Sequence, residues 1–227
     1  MTKSVASGSE LPASLSLCPV HGDSCPFADE VVRLRQEVQA LNTMVRVDEL
    51  TGLYNYRHFL QSMDLEMERS RRSGHPVSLI LLDIDHFKSF NDHWGHEVGN
   101  IALAHVARII SNSLRRLDIP CRYGGEEFAI ILPDTSLHAA IKLAERLRVR
   151  LVGSPLQVED QSVVVTASFG VDCLGSLEQI DAGAFVARVD TWLYQAKDTG
   201  RNCVRHAPDR EETHVSKDER DLLLGDL

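Results

Sequence analysis

The sequence predicts an α/β domain of the α+β kind, in which helices cover a mixed sheet that contains antiparallel strand pairs. Short apolar runs such as residues 77–82 and 128–132 have strand character, and they alternate irregularly with segments whose apolar residues recur every three or four positions. A glycine pair, Gly124 and Gly125, separates two strand-like runs as in a β-hairpin. A hairpin excludes a purely parallel sheet, so the α+β class follows.

The first segment, residues 1–27, is expected to be an irregular leader. It is rich in Ser, Pro and Gly and lacks an apolar period. Cys18, His21 and Cys25 lie within it at a spacing that could hold zinc. A structural zinc site has four ligands, however, and only three are present here. Metal binding by the leader therefore stays open.

Residues 28–47 are predicted to form a helix with a coiled-coil seam. Such a seam favours a dimerising and regulatory stalk. The alternative is a single amphipathic helix packed on its own domain, because the seam covers just over two heptads. The apolar residues recur at alternating steps of three and four, at Val31, Leu34, Val38, Leu41 and Val45.

The main domain is predicted to span residues 48–206 and to begin with a linker at 48–53. The helix that follows, over 56–72, has an apolar side formed by Phe59, Leu60, Met63 and Met67. The later elements are a buried strand over 77–82, helices over 87–94 and 100–114, the hairpin around Gly124 and Gly125, a helix over 137–151, a strand over 163–171, a helix over 184–196, an edge strand over 202–204 and a polar tail over 207–227.

Composition excludes several classes of function. A net charge of −9 and a pI of about 5.5 argue against general nucleic-acid binding, which needs a basic face. Any anionic substrate must then meet local cations or a metal. No apolar run approaches the ~20 residues that span a bilayer, and no signal peptide is visible. No membrane span is therefore expected. Sparse cysteine favours a reducing compartment, so a cytoplasmic location is expected as well.

Three carboxylates at strand ends form a candidate catalytic centre. Asp83 ends a buried strand, and Glu126 and Glu127 follow the glycine pair at the hairpin tip. If the two strands are neighbours, these acids converge and repel one another unless they bind cations. Oxygen ligands of this kind, with a main-chain carbonyl such as that of Ile84, suit Mg²⁺ or Mn²⁺. The alternative is an ordinary hairpin whose turn is acidic.

Three cationic side chains accompany these acids. Lys88 lies five residues beyond Asp83, and Lys197 and Arg201 flank Gly200. Each alone is typical of a solvated surface charge. Together with the acids they favour a phosphoryl-transfer site, in which cations clamp a triphosphate.

At these residues the chain resembles the GGDEF family of diguanylate cyclases, in a Gly-Gly-Glu-Glu-Phe form. The resemblance covers about residues 48–205. It implies a domain like the nucleotidyl cyclases and polymerase palms, with a central sheet of about five strands. It also implies that two GTP condense to cyclic di-GMP and two pyrophosphates, as a bacterial second-messenger reaction. The motifs, in family order, are Asp48-x-Leu50-Thr51-Gly52-Leu53-x-Asn55, Asp83-Ile84-Asp85-x-Phe87-Lys88-x-x-Asn91-Asp92, Gly95-His96-x-x-Gly99, Arg122-x-Gly124-Gly125-Glu126-Glu127-Phe128, Ser168-x-Gly170 and Ala196-Lys197-x-x-Gly200-Arg201-Asn202.

The resemblance implies roles for individual residues of the centre. Asp83, the carbonyl of Ile84 and Glu127 resemble the family's ligands for two Mg²⁺ or Mn²⁺ ions per active site. Glu126 resembles the acid that serves the ribose 3′-hydroxyl and can reach the second metal. The glycine pair lets the backbone approach the nucleotide, because a side chain there would occupy the space of the α-phosphate and ribose.

Substrate contacts are also implied. Lys88, Lys197 and Arg201 resemble the triphosphate contacts, helped by backbone N–H groups near His86 and Phe87.

Guanine recognition departs from the family pattern. Asn91 matches the asparagine that reads guanine, but Asn100 fills the position of an aspartate. A carboxylate accepts from both N1–H and N2–H of guanine, whereas an amide oxygen accepts without charge assistance. The expected loss is on the order of 1–2 kcal/mol, which makes a cyclase with relaxed base selectivity an alternative.

A second ligand site is implied by Arg115 and Asp118, which precede Gly124 and are spaced three apart at a predicted helix end. They resemble the family's RxxD inhibitory site, with Arg146 as a supplement, so inhibition by the product cyclic di-GMP is expected. The alternative is a surface salt bridge.

Each active site of the family holds one GTP, so the resemblance implies a homodimer, joined here through the predicted N-terminal helix. No separate sensor domain is visible, which favours a regulatory protein on the stalk. The competing function is a catalytically degenerate module that only binds cyclic di-GMP. Intact Asp83, Glu126 and Glu127 argue against that function.

Overall fold

A computed structural model of the chain describes residues 30–37 and 46–208. The chain divides into two compact units between Arg46 and Val47. In the first unit, residues 30–37 form a helix, α1. Arg33 pairs with Glu30 and with Glu37 across adjacent turns of this helix. These pairs are exposed, so each adds little to helix stability.

Several predicted features lie wholly or partly outside the described residues. Of the predicted seam, Val31 and Leu34 lie on α1 and are exposed. The remaining seam residues, the cysteines and histidine of the leader, and most of the polar tail are not described: they are Val38, Leu41, Val45, Cys18, His21, Cys25 and residues 209–227. The coiled-coil stalk therefore stays a prediction.

The second unit contains the remaining described helices and strands. Two antiparallel strands, β4 and β5, form a small separate sheet. In chain order the elements are α2 (Tyr56–Ser73), β1 (Val77–Ile84), α3 (Phe87–Trp94), α4 (His96–Ser111), β2 (Ile119–Arg122), β3 (Glu127–Pro133), α5 (Leu137–Val152), β4 (Leu156–Val158), β5 (Gln161–Val163), β6 (Ala167–Leu174), α6 (Ala182–Asp198) and β7 (Val204–His206).

The main sheet of the described residues has five strands in the order β2-β3-β1-β6-β7. Neighbouring strands are antiparallel except β6 and β7, which are parallel. The predicted mixed sheet of about five strands, with an antiparallel hairpin, is thus confirmed. Its central strand is β1, which is paired along its length on both sides.

Helices cover both faces of the sheet, so β1 is buried on both sides. Ile80 and Leu82 pack in the core that α3, α4 and α5 complete, whereas Leu79 and Leu81 pack in the core that α2 and α6 complete. A strand buried on both faces needs a continuous apolar run rather than an alternating one. That requirement explains the uninterrupted hydrophobic stretch from which the strand was predicted.

Several element bounds differ from the sequence prediction. The helix predicted over 100–114 begins four residues earlier, because Gly95 has a positive φ of 83° and ends α3 at that point. The strand predicted over 163–171 lies at Ala167–Leu174, and the β4–β5 hairpin before it was missed. The edge strand predicted over 202–204 begins only at Val204, because Asn202 has a φ of 43° that no strand residue adopts.

The apolar face predicted for α2 is correct for three of its four residues. Phe59, Met63 and Met67 are buried under the sheet, but Leu60 is exposed. Leu60 directly follows Phe59, so it points about 100° away from the buried stripe. Periodicity alone did not separate the edge of the stripe from its centre.

Gly170 on β6 is where α6 comes closest to the sheet. A Cβ at this position would lie 2.4 Å from the backbone nitrogen of Leu193 and 2.6 Å from the carbonyl oxygen of Val189. Because both atoms belong to the helix backbone, α6 would have to move away as a body. Glycine is thus required for packing, independently of any ligand.

We therefore expect Gly170→Ala to lower the free energy of unfolding by about 3 kcal/mol, the upper part of the range for overpacked cores. In a domain of this size that corresponds to a fall in Tm of roughly 6–12 °C. Gly175→Ala is the matched control, because the nearest atom to a Cβ there, Oε1 of Glu178, is 3.7 Å away. Equal melting temperatures for the two variants would contradict this account.

Candidate active site

The β1–β3 pairing brings the predicted acids to one edge of the sheet. Asp83 and Glu127 are direct partners across the two strands. The backbone N–H of Ile84 donates to the carbonyl oxygen of Glu126 at 3.3 Å. Asp83 is 7% exposed, and the two glutamates are half-buried. The hairpin tip and the end of the central strand therefore meet, as the sequence predicts.

Burial raises the pKa of all three acids. For Glu126 and Glu127 the next cause is the negative charge of Asp83, and the positive charge of Lys197 opposes it. For Asp83 the hydrogen bond from Lys197 opposes the effect of burial, and nearby Asp85 adds to it. The acids thus interact electrostatically, and their mutual repulsion favours any cation that reaches them.

Lys197 is the cation that reaches Asp83 in this structure. Its Nζ donates to Oδ2 of Asp83 at 2.8 Å. Lys197 lies in the last turn of α6, where the helix C-terminus also favours positive charge. The ammonium group lies beside the carboxylate, in a position from which another cation could also neutralise the negative charge of the carboxylate.

The donor set fits a hard divalent cation. Within residues 30–37 and 46–208, no three His, Cys, Asp or Glu side chains are grouped closely enough to hold a metal by themselves. The predicted set, however, combines carboxylates of Asp83 and Glu127 with the main-chain carbonyl of Ile84. Mg²⁺ commonly binds one or two carboxylates together with water and substrate phosphates, so a partial protein set of oxygen donors matches its chemistry.

Asp85 organises the same edge of the sheet, although sequence reasoning did not assign it to the site. Its carboxylate accepts from Oγ1 of Thr166 at 2.7 Å, from Oγ of Ser168 at 2.6 Å and from the backbone N–H of Asn202 at 3.0 Å. It thereby joins the end of β1 to the start of β6 and to the segment after α6. The signal was present: Asp85, Ser168 and Asn202 all stand in the recognised motifs.

The end of α6 and the turn that follows it, residues 197–202, are here called the phosphate loop, after the triphosphate contacts predicted for Lys197 and Arg201. Gly200, Arg201 and Asn202 have φ values of 111°, 63° and 43°, so the chain turns sharply through three positive-φ residues. The N–H of Arg201 donates to the carbonyl oxygen of Ala196 at 3.0 Å and closes the turn. Arg201 lies near enough to Asp83 to oppose the rise of its pKa. Lys197 and Arg201 are therefore both brought to the acidic edge.

The N-terminus of α3 supplies the other predicted phosphate contacts. His86 precedes the helix with a left-handed φ of 57°, Phe87 is its first residue and is buried, and Lys88 is exposed. The first N–H groups of a helix have no partners within the helix and favour anions. These residues follow Asp83 by three to five positions, so they lie at the same end of β1.

The predicted base-reading residues lie on adjacent helices. A Cβ on Gly99 would come within 1.8 Å of Oδ1 of Asn91, so the absence of a side chain at Gly99 leaves room for the amide where α4 passes α3. That oxygen is buried and has no hydrogen-bond partner among the described residues. An unpaired buried acceptor of this kind points to a missing donor. Asn100 follows Gly99 directly and is exposed.

The glycine turn of the hairpin is held in place by Arg122. Its Nη2 donates to the carbonyl oxygen of Gly125 at 2.8 Å, and its Nη1 lies 3.2 Å from Oδ2 of Asp48. A Cβ on Gly124 would lie 2.5 Å from Oε2 of Glu127, whereas one on Gly125 would meet nothing within 4 Å. A Cβ on the first glycine would thus displace the end of the Glu127 side chain, and only the second glycine faces open space.

The RxxD residues were predicted to lie at the end of a helix. In the structure they form a turn beyond the end of the helix instead. Helix α4 ends at Ser111, and beyond it the N–H groups of Ser113 and Leu114 donate to carbonyls only three residues back instead of four. The N–H of Arg115 donates to Oδ2 of Asp118 at 2.8 Å, so their contact runs through the backbone rather than through a side-chain ion pair.

The same turn opens onto a cavity of about 190 Å³. Burial raises the pKa of Asp118, against the attraction of Arg115 and Arg146. Arg146 donates from Nη2 to the carbonyl oxygen of Ser113 at 2.9 Å. The three predicted residues are therefore together, and the lining consists of Arg115, Asp118, Leu132, Thr135, Ala139, Lys142, Leu143 and Arg146.

Over the part of the chain that the structure describes, no helix is both long and apolar enough to cross a bilayer.

Comparison with known proteins identifies the domain. A sequence model described as "Diguanylate cyclase, GGDEF domain" matches residues 45–203. The response regulator PleD of Caulobacter vibrioides is 40% identical over 173 residues, which are 75% of this chain and 38% of PleD. The diguanylate cyclase VdcA of Vibrio cholerae is 39% identical over 180 residues, which are 77% of this chain and 51% of VdcA. The chain thus spans about half or less of the length of these curated relatives.

Solved structures show the same fold. The coiled coil and GGDEF domain of DgcB from Caulobacter crescentus, in complex with c-di-GMP, has a TM-score of 0.69 at 31% identity and covers 79% of this chain and 94% of its own. The diguanylate cyclase SiaD of Pseudomonas aeruginosa, in complex with its activator SiaC, has a TM-score of 0.69 at 36% identity and covers 80% of this chain and 69% of its own.

The raised pKa of Glu126 predicts a pH-dependent gain in stability for Glu126→Gln without divalent cations. The folded state binds the proton more tightly than the unfolded state, so wild-type stability falls as pH rises above the ordinary carboxyl value of 4.5. A neutral glutamine removes this cost. We expect the variant to melt at or above the wild type at pH 7 and to lose any advantage in acid. A variant that melts lower only at pH 7 would contradict this sign.

Proposed function

This chain belongs to the GGDEF family of diguanylate cyclases, and from that premise we propose that it condenses two GTP molecules into cyclic di-GMP with release of two pyrophosphates. One observation carries the proposal: Asp83 pairs directly with Glu127 across β1 and β3, and Lys197 donates to Asp83 at the same edge. Acids and cations at one sheet edge are what the transfer of a nucleotidyl group requires.

Glu126 is proposed to take the proton of the attacking 3′-hydroxyl. Burial and the charge of Asp83 raise the pKa of Glu126, which makes the carboxylate a better proton acceptor near neutral pH. The 3′-oxygen then bonds to the α-phosphorus of the facing GTP, the bond to the pyrophosphate breaks, and the pyrophosphate leaves. A second transfer in the opposite direction closes the ring.

The remaining residues would hold and neutralise the nucleotide. Lys88, Lys197 and Arg201 are proposed to contact the triphosphate, helped by the N–H groups at His86 and Phe87. Two Mg²⁺ or Mn²⁺ ions, held by the predicted acids and the Ile84 carbonyl, would supply Lewis-acid neutralisation of the phosphate charge. Lys197 balances the charge of Asp83 before the substrate arrives.

We propose that catalysis occurs in a homodimer, because one site holds one GTP and each GTP must supply both a hydroxyl and an α-phosphate. The predicted stalk over residues 28–47 would join the protomers and receive a regulatory protein. The coiled coil that accompanies the GGDEF domain in DgcB and the activator bound to SiaD support this proposal by similarity. A GTP-consuming reaction and sparse cysteine support a cytoplasmic location.

Asn100 supports a second candidate, a cyclase with relaxed base selectivity. It is exposed and directly follows Gly99, which packs against Asn91, and the family pattern has a carboxylate at this position. An amide cannot accept two guanine N–H groups with charge assistance, so discrimination against adenine weakens. Incubation with equimolar GTP and ATP separates the two candidates: adenine in the cyclic product supports relaxed selectivity, and its strict exclusion contradicts it.

The decisive experiment is product identification by mass spectrometry after incubation of the full chain with GTP and Mg²⁺. We expect cyclic di-GMP from the wild type and a rate at least about 100-fold lower from Glu126→Gln, because general-base catalysis contributes about that much or more. Glu159→Gln, which changes an exposed acid in the turn of the separate β4–β5 sheet, is the matched control. Binding of cyclic di-GMP without any synthesis by the wild type would instead support a degenerate receptor module.

Product inhibition predicts the behaviour of Arg115→Ala. Loss of one charged hydrogen-bond donor from the cavity should raise the half-inhibiting concentration of cyclic di-GMP by about tenfold or more, so the product accumulates to a higher plateau. The neighbouring Arg116 is exposed and does not line the cavity, so Arg116→Ala serves as the control. An unchanged plateau in Arg115→Ala would count against an inhibitory role for this site.

A further inference from the structure

We propose that Arg148 on α5 is a positioning residue for the triphosphate of the substrate, acting through the phosphate loop. Its Nη1 lies 3.4 Å from the main-chain oxygen and 3.3 Å from Oδ1 of Asn202, the last residue of that loop. Arg148 is 54 residues away in sequence and belongs to none of the motifs that identify the family. The inference rests on the proposed function, in which the loop holds the triphosphate of GTP.

The loop needs external support because its backbone is strained. Arg201 and Asn202 both have left-handed φ values, 63° and 43°. Such residues persist only where the surroundings hold them. Asp85 holds Asn202 from the sheet side through its N–H. Arg148 holds the same residue from the helix side through its two oxygens, so Asn202 is fixed between β1 and α5.

Arg148 is itself oriented for this contact. Its Nε donates to Oε2 of Glu145 at 2.8 Å, one turn earlier on the same helix, and its side chain is only 25% exposed. Because a guanidinium is planar and rigid, the bond at Nε fixes the direction of Nη1. A lysine at this position would keep the charge but could not make both contacts in one geometry.

The consequence falls on Arg201, which directly precedes Asn202. If Asn202 loosens, the turn that brings Arg201 towards Asp83 loses one of the contacts that hold it, and Arg201 samples other positions. Binding of a triphosphate should weaken because the clamp must be reordered when the nucleotide binds. Binding of a nucleotide that lacks the β- and γ-phosphates should not change, because the loop is not proposed to contact the base or the sugar.

The test compares two ligands by calorimetry in the presence of Mg²⁺: a GTP analogue with a non-cleavable α,β-methylene bridge, and GMP. For Arg148→Ala we expect the Kd of the analogue to rise by about threefold to tenfold, the size of one or two partly exposed hydrogen bonds. The Kd of GMP should stay at the wild-type value. Arg148→Lys should fall between the wild type and the alanine variant for the analogue.

Arg150→Ala is the matched control on the same helix. Arg150 is also partnered, but with Oγ of Ser113 and the carbonyl of Asn112 on another side of α5. Its removal tests whether loss of any α5 arginine has the same effect. Equal losses in Arg148→Ala and Arg150→Ala, or equal losses for the analogue and GMP, would show a general structural effect and would overturn the proposal.

Failure of this inference is distinguishable from failure of the proposed function. If the wild type binds the analogue more tightly than GMP but makes no cyclic di-GMP, the proposed activity is wrong. The effect of Arg148→Ala on binding of the analogue would still test the role of Arg148. A wild type that makes cyclic di-GMP, with unchanged analogue affinity in Arg148→Ala, would overturn the role of Arg148 alone. A wild type without preference for the triphosphate would overturn the role of the loop and of Arg148 together.

Discussion

The register between β1 and β3 is the constraint on which the candidate site depends. Asp83 opposes Glu127 only because Val77 opposes Pro133 at the other end of the same ladder. A shift by one residue would turn every β1 side chain to the opposite face, so the two separate cores on the sheet hold this register firmly. The same packing that stabilises the fold therefore keeps acids together that would otherwise move apart.

Around that ladder, hydrogen bonds tie distant segments to the acidic edge. Arg122 holds the glycine turn to Asp48, and Asp85 holds the phosphate loop to the end of β1. Helix α5 contacts two of the predicted functional regions: Arg146 lines the RxxD cavity, and Arg148 contacts Asn202. One rigid helix thus touches both the predicted inhibitory site and the segment proposed to bind the triphosphate.

Prediction from the sequence was most successful for elements whose structure is determined by a local pattern of residues. The apolar run of β1, the hairpin at Gly124 and Gly125, and the helix that begins at Leu137 are all confirmed. It was least successful for short segments in which apolar residues do not recur at a regular spacing. The β4–β5 hairpin was missed, and the RxxD turn was predicted to be a helix end. Their backbone conformations are set by contacts with the rest of the fold rather than by neighbouring residues.

By itself, the sequence determined the class of fold, the family and the identity of the acids and cations, because these depend on residue type and order along the chain. Only the tertiary structure decided that Asp83 pairs with Lys197, that α6 approaches β6 closely at Gly170, and that Asp85 and Arg148 support Asn202. Each of those contacts joins different secondary-structure elements. No spacing in the sequence encodes them, since the packing of the elements sets the distances.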